Sequence, residues 1–154
     1  MANRLQKGSA AAAMAVALVG SFEGLRQHAY PDPATQGQPW TICYGSTNGV
    51  KPGDHKTVGE CRALLSLELH RYANGIEQCV TVPLPDARFV ALTSFAYNVG
   101  IRAACGSSAV KLINQGRTAE GCEALLKWNR AAGITFPGLT RRRQKERAFC
   151  LEGI

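Results

Sequence analysis

The sequence has few charged residues, and it lacks the polar tracts and long apolar runs that mark several protein classes. Charged residues make up 19% of the 154 residues, below the usual quarter, and no low-complexity polar tract is present. Disorder is therefore not expected for most of the chain. Hydrophobic residues make up 45%, which suits one compact domain or two closely fused lobes better than two independent domains.

Patterns that bind metal ions are also missing. The six cysteines form no C-x-x-C pair, and no histidine stands near them in a zinc-ligand rhythm, so no metal site is expected. An even number of widely spaced cysteines favours disulfides made in an oxidising compartment, with buried free thiols as the alternative. Sequence alone does not choose the pairing. We predict sequential pairing: Cys43 with Cys61, Cys79 with Cys105 and Cys122 with Cys150.

Acidic residues are outnumbered, and the formal net charge of +7 draws the protein towards polyanions such as nucleic acid, an anionic membrane or an anionic cell wall. The basic residues are densest between positions 141 and 147, and a solvated basic face is the simpler interpretation of this run. No recognition-helix pattern and no interleaved aromatic residues support a nucleic-acid partner. The run consists of Arg141, Arg142, Arg143, Lys145 and Arg147.

The N-terminus lacks the 20 or so apolar residues that a membrane span normally needs. Arg4 and Lys7 precede an uncharged stretch from Gly8 to Phe22. This arrangement is similar to the basic region and the weak apolar region of a signal sequence. Three interpretations stay open: a buried first helix, an uncleaved anchor that later packs as that helix, and a cleaved signal peptide. We assign residues 1–22 to this apolar helix and residues 23–154 to a single domain with two lobes.

Local patterns predict an α+β fold with a small β-hairpin lobe and a larger helical lobe, and a cleft between them. The first helix should end at about Phe22 or Glu23. Short β-like pieces separated by turn residues occupy 27–54 and predict a hairpin, with a third strand possible. The second lobe is predicted to be all helix. After a T-x-x-E capping box at Thr57, helices are expected at about 58–75, in ARFVALTSFAYNVG up to Gly100, and at 107–115, 118–130 and 140–151.

Eleven carboxylates are present, and most have a structural explanation. Glu23 differs because it follows fifteen uncharged residues, so we expect apolar surroundings, which would favour the neutral form that a general acid needs. Asp32, in the turn PDP, should have more polar surroundings than Glu23 and should therefore be ionised. Two carboxylates in unlike surroundings suit glycoside cleavage. The remaining acids are expected to cap a helix or to be exposed on helices: Glu60, Glu68, Glu77, Glu120, Glu123 and Glu146.

Three segments resemble one known family. The run FEGLRQHAYPDPATQGQPWTICYG resembles the active-site signature of the phage-type lysozymes, glycoside hydrolase family 24. ALTSFAYNVG and KWNRAAGITFPGLTRRRQKER are similar to the central helix and the C-terminal segment of that family. The matches extend from about Glu23 to Arg147, in the order the family has them. The resemblance implies a lysozyme-like fold and hydrolysis of the β-1,4 bond between N-acetylmuramic acid and N-acetylglucosamine in peptidoglycan.

The same resemblance implies roles for individual residues. Glu23 would be the general acid, Asp32 would activate the attacking water or stabilise the oxocarbenium-like state, and Thr41 would assist, although a plain strand former is the simpler interpretation of Thr41. Asn98 and Tyr44 would bind substrate. No cofactor and no metal are implied, and a monomer without a nucleic-acid partner is expected. The histidines His28, His55 and His70 are expected to be structural.

The cysteines and the N-terminus are similar to a subset of these enzymes, made by phages of Gram-negative hosts, in which the N-terminal segment is a signal-anchor that is later released. That implies a location in the host periplasm and cell wall, with the inner membrane as a first tether. A lytic transglycosylase acting on the same bond is the nearest alternative. A non-catalytic basic protein that binds walls or membranes is the alternative from another class.

Overall fold

The computed structural model describes residues 4–5, 9–33 and 36–154. Lys7 and Gly8, which belong to the N-terminal stretch with three open interpretations, lie outside the described residues. The elements, in chain order, are α1 (Ala10–Phe22), β1 (Arg26–Pro31), β2 (Trp40–Cys43), α2 (Val58–Cys79), α3 (Asp86–Val99), α4 (Ile101–Cys105), α5 (Ser108–Asn114), α6 (Thr118–Ala124), a 3₁₀ turn (Leu125–Lys127), β3 (Arg130–Ala131), β4 (Ile134–Thr135) and α7 (Pro137–Leu151).

Helix α1 forms where the alanine-rich stretch predicts it. The Ser9 side chain accepts a hydrogen bond from the Ala12 N–H (3.0 Å) and caps the helix N-terminus. The buried face of α1, which includes Val19, packs against α3 and α2. Among the described residues, no helix is both long enough and apolar enough to cross a membrane.

The β lobe is a two-stranded antiparallel sheet in which Tyr30 pairs with Thr41 and Pro31 with Trp40. The possible third strand does not form within the described residues. An isolated bridge between His28 and His55 lies in its place. The hairpin predicted for this lobe is therefore confirmed, and the bridge to His55 is added to it at His28 of β1.

Helix α2 begins as the capping box predicts: the Thr57 hydroxyl accepts from the Glu60 N–H (3.0 Å), and the Glu60 carboxylate accepts from the Thr57 N–H (2.9 Å). It continues to Cys79, beyond the expected end near residue 75. Helix α3 packs against α1, α2, α4 and α7, and its residues 88–96 are buried. It ends at Gly100, whose φ of 98° is in the left-handed region that glycine tolerates best.

The helical lobe is not all helix, which corrects the sequence prediction. Helix α6 ends at Ala124, and the segment expected to remain helical up to Arg130 instead forms a 3₁₀ turn and then the hairpin β3–β4. Its two-residue turn places Ala132 (φ 51°) and Gly133 (φ 78°) in the left-handed region, as a tight hairpin requires. Helix α7 then begins early, because Pro137 suits a first helical turn.

Three disulfides join the elements, in the sequential pairing that we predicted. Their Cα–Cα distances of 5.0, 5.8 and 5.6 Å lie in the usual range for disulfides. The first ties β2 to α2, the second ties the end of α2 to the end of α4, and the third ties α6 to α7. The pairs are Cys43–Cys61, Cys79–Cys105 and Cys122–Cys150.

Candidate active site

Glu23 caps the C-terminus of α1, and its N–H donates to the Val19 carbonyl (3.2 Å). Its side chain is 28% exposed and faces a cavity of about 630 Å³. The cavity wall also includes Asn98 at the end of α3, Phe136 beside the β3–β4 hairpin, and residues of α7. Glu23 is thus a partly exposed carboxylate in a concave site that three separate parts of the chain build.

Glu23 is held by an arginine that the sequence analysis did not assign to the site. Nη1 of Arg142 donates to Oε1 of Glu23 over 2.8 Å, and the Arg142 side chain is only 5% exposed. Its guanidinium lies 4.7 Å from the centre of the Phe22 ring. The expectation of apolar surroundings for Glu23 is therefore wrong: a charged partner from a distant part of the chain occupies one side.

Arg142 is fixed by further bonds on its buried side. Its Nε donates to Oε2 of Glu146 (3.1 Å), and its Nη2 donates to the carbonyl of Ser94 (3.0 Å). The Ser94 hydroxyl donates to Oε2 of Glu146 (2.6 Å). These contacts use both edges of the planar guanidinium, so little freedom is left in the position from which Arg142 holds Glu23.

Glu146 is fully buried, which corrects its assignment to an exposed helical position. Its Oε1 lies 2.8 Å from Nε of Arg143, a contact whose angle does not make a hydrogen bond. Burial raises the pKa of Glu146 although both arginines oppose the shift, and burial lowers the pKa of Arg143 to about 10. The basic run is therefore not one solvated face, because Arg142 and Arg143 point into the core.

Asn98, a predicted substrate-binding residue, does line the cavity of Glu23. Its Oδ1 accepts a hydrogen bond from Nη2 of Arg143 (2.6 Å). The bond places the Asn98 carboxamide at the cavity wall with its oxygen turned towards the buried arginine. Asn98 and Glu23 are thus brought together, and both are held by consecutive arginines of α7.

Asp32 and Thr41 lie on the β hairpin and are not among the residues that line this cavity. Asp32 follows β1, half-buried, and its backbone carbonyl accepts from the Gly37 N–H (2.7 Å). Thr41 is 4% exposed, and its hydroxyl donates to the Pro39 carbonyl (3.2 Å). The backbone at Asp32 and the hydroxyl of Thr41 are therefore held by bonds within the hairpin.

Tyr44, the second predicted substrate-binding residue, is 8% exposed and lies elsewhere. Its ring packs against Gly20 of α1, where an added Cβ would meet it at 3.4 Å. It lines a groove of about 730 Å³ between α1 and α2, together with residues such as Arg62. Tyr44 is thus separate from the cavity at Glu23.

The described residues contain no group of three or more histidine, cysteine, aspartate or glutamate side chains that could hold a metal ion. The site residues that sequence reasoning missed are Arg142, Arg143 and Phe136. The dense basic run was the signal for the two arginines, but spacing along a helix does not show which cations have a buried anionic partner. Phe136 gave no signal beyond its position between two turns.

The chain is similar to known proteins in sequence and in structure. The family model described as Phage lysozyme matches residues 20–146. The SAR-endolysin of Pseudomonas phage phiKMV is 40% identical over 154 residues, which cover 97% of this chain and 93% of that relative.

Two solved structures have the same architecture. An endolysin from Escherichia coli O157:H7 phage FAHEc1 superposes with a TM-score of 0.82 at 30% identity, over 92% of each chain. The muramidase domain of SpmX from Asticaccaulis excentricus superposes with a TM-score of 0.79 at 35% identity, over 89% of this chain and 94% of that one. The α+β lysozyme-like fold is thereby confirmed.

Proposed function

This chain belongs to the phage lysozyme family, and we propose that Glu23 is the general acid with which it cleaves peptidoglycan. It is an endolysin and a glycoside hydrolase that acts on the bacterial cell wall. The bond we assign is the β-1,4 linkage from C1 of N-acetylmuramic acid to O4 of N-acetylglucosamine. The observation that carries the assignment of Glu23 is its position: a partly exposed carboxylate, fixed by Arg142, in a cavity large enough for sugar rings.

In the proposed reaction, protonated Glu23 gives its proton to O4 of the departing N-acetylglucosamine as the bond from C1 to O4 breaks. Asp32 stabilises the oxocarbenium-like state or takes a proton from the water whose oxygen bonds to C1. Thr41 assists Asp32 from the neighbouring strand. The antiparallel register supports this grouping, because Thr41 pairs with Tyr30, two residues before Asp32.

Two further residues are proposed to contact the glycan. Asn98 would bind a sugar in the cavity of Glu23, and its place on the cavity wall supports this. Tyr44 would contact substrate from the groove between α1 and α2. The exposed cations Arg141 and Lys145 at the cavity of Glu23 favour an anionic polymer.

We also propose that the enzyme works as a monomer in the host periplasm, after a period tethered to the inner membrane by residues 1–22, with residues 23–154 as the catalytic domain. Relatives named SAR-endolysins and the three disulfides support export, since such bonds persist in oxidising compartments. Fractionation of an expressing Gram-negative host should find disulfide-bonded protein in the membrane fraction first and in the periplasm later. Reduced protein confined to the cytoplasm would contradict this location.

Analysis of the released fragments tests the reaction itself. Purified peptidoglycan is digested with the wild type and with Asp32→Ala, and the fragments are examined by mass spectrometry. Hydrolysis should produce reducing muramic ends, and Asp32→Ala should release far fewer of them. Anhydro-muramic ends that persist in Asp32→Ala would instead make the protein a lytic transglycosylase, which needs only one acidic residue.

A further inference from the structure

Two histidines that the proposed reaction does not use meet on the β lobe. His28 lies in the middle of β1 and His55 in the segment just before α2, and an isolated antiparallel bridge pairs them. Their ring centroids are 4.5 Å apart, and the ring planes are inclined by 47°. Both residues are exposed, and neither lines the cavity at Glu23.

The backbone holds the two rings together. The Ala29 N–H donates to the Asp54 carbonyl, and the Lys56 N–H donates to the Gln27 carbonyl, each over 2.9 Å. These bonds lie on either side of the histidine pair. The backbone positions of His28 and His55 are therefore fixed before any ligand arrives, which lowers the conformational cost of binding one.

Such a pair has the chemistry of a metal chelate. A tetrahedral zinc ion bonds each imidazole nitrogen at about 2.0–2.1 Å, which places the two nitrogens about 3.3 Å apart. Rings with centroids 4.5 Å apart reach that separation by small side-chain rotations. The described part of the chain places no third histidine, cysteine or acidic side chain with this pair. Water would therefore take the remaining metal positions.

We propose that His28 and His55 bind one zinc-type divalent ion through two imidazole nitrogens, with water completing the coordination. The ion would tie β1, which leads directly to Asp32, to the segment that enters α2. This site is independent of the reaction proposed for Glu23, and it holds whether or not that reaction is correct.

Calorimetry on the full chain, stripped of metal with a chelator, tests the site. Zinc chloride is titrated into the wild type, His28→Ala, His55→Ala and the control His70→Ala, which removes a histidine of α2. We expect one saturable site in the wild type and in His70→Ala. Loss of either histidine should weaken the affinity for zinc by more than about tenfold. A loss of at least that size is usual even for residues that only hydrogen-bond to a metal ligand.

Thermal unfolding gives a second reading on the same samples, because an ion that binds only the folded state raises the melting temperature. Zinc should raise it in the wild type and in His70→Ala, and should raise it far less in His28→Ala and His55→Ala. The proposal fails if zinc produces no saturable heat in the wild type. It also fails if His28→Ala or His55→Ala binds zinc as tightly as the wild type does.

Discussion

The end of α1 and the β hairpin hold their candidate catalytic residues in different ways. Glu23 is bonded to Arg142, which is itself fixed by Glu146 and Ser94 in the core. Asp32 follows β1, and its backbone carbonyl accepts from the Gly37 N–H within the same hairpin. The side chain of Glu23 is positioned by a buried network from distant parts of the chain, whereas the backbone at Asp32 is positioned by the local geometry of its hairpin.

The buried network near Glu23 is expensive to form. Burial raises the pKa of Glu146 and lowers that of Arg143, so desolvation disfavours the charged form of each. A buried ion pair of this kind adds little net stability compared with apolar residues of the same volume. We therefore interpret the network as a device for positioning Arg142, and through it the carboxylate of Glu23.

The largest expected effect on stability is that of Glu146→Gln. It leaves Arg143 buried without a counter-charge and leaves Arg142 with Glu23 alone, so the free energy of unfolding should fall by about 3–5 kcal/mol. Denaturant unfolding measures this. Glu123→Gln is the matched control, because Glu123 forms an exposed pair with Arg147 (3.4 Å), and it should cost less than about 1 kcal/mol. Equal losses in the two variants would contradict the interpretation.

Removing a disulfide from each region should lower stability similarly but affect catalysis differently. The bridges Cys122–Cys150 and Cys43–Cys61 span 28 and 18 residues, so losing either should cost about 3–4 kcal/mol by loop entropy. Serine variants of the pair at Cys43 should also reduce kcat, because β2 loses its link to α2. Serine variants of the Cys122–Cys150 pair should keep a normal kcat as long as they are folded. If loss of Cys122–Cys150 lowered kcat and loss of Cys43–Cys61 did not, catalysis would not depend on the bridge that holds the β1–β2 hairpin.

Arg142→Lys should separate catalysis from substrate binding. Lysine keeps the positive charge but loses the planar fork that joins Glu23, Glu146 and Ser94. Misplacing Glu23 should lower kcat by about 10-fold to 10²-fold while KM stays unchanged. Steady-state kinetics on soluble peptidoglycan fragments measure both constants, with Arg147→Lys as the exposed control on α7. A raised KM with normal kcat would assign Arg142 to binding.

Phe136→Ala should have the smallest effect. Phe136 is 44% exposed and lines the cavity of Glu23, so its ring is placed to stack on a sugar. We expect KM to rise by about fivefold, equivalent to about 1 kcal/mol. Ile134→Ala is the control, since Ile134 is 60% exposed and does not line the cavity. A similar KM in both variants and the wild type would remove Phe136 from the binding site.

The sequence predicted those features that local chemistry determines. The Thr57 and Glu60 capping box, the helix end at Gly100 and the end of α1 near Glu23 each depend on neighbouring residues, and the structure confirms them. The β3–β4 hairpin was missed because its turn, Ala132–Gly133, lacks the asparagine or aspartate that usually marks such turns.

The burial of Glu146 and Arg142 was missed for a different reason. A charged run in a sequence predicts exposure. Only the packing of α7 against α3 and the reach of Arg142 to the end of α1 supply the partners Ser94 and Glu23, which are 48 and 119 residues away from Arg142. The spacing of residues along α7 does not indicate those partners. Sequence reasoning could therefore nominate Glu23 and Asn98 for the candidate site, but neither Phe136 nor the arginine network that holds Glu23.

The role of Glu23 is tested by the turnover of Glu23→Gln on purified peptidoglycan, followed by turbidity, with the melting temperature measured on the same sample. Glutamine keeps the size of the side chain and an oxygen that can accept from Arg142, but it cannot donate a proton as an acid. We expect the rate to fall by about 10²-fold to 10⁴-fold while the protein stays folded. Lysis within a few-fold of the wild type would contradict the assignment of Glu23 as the general acid.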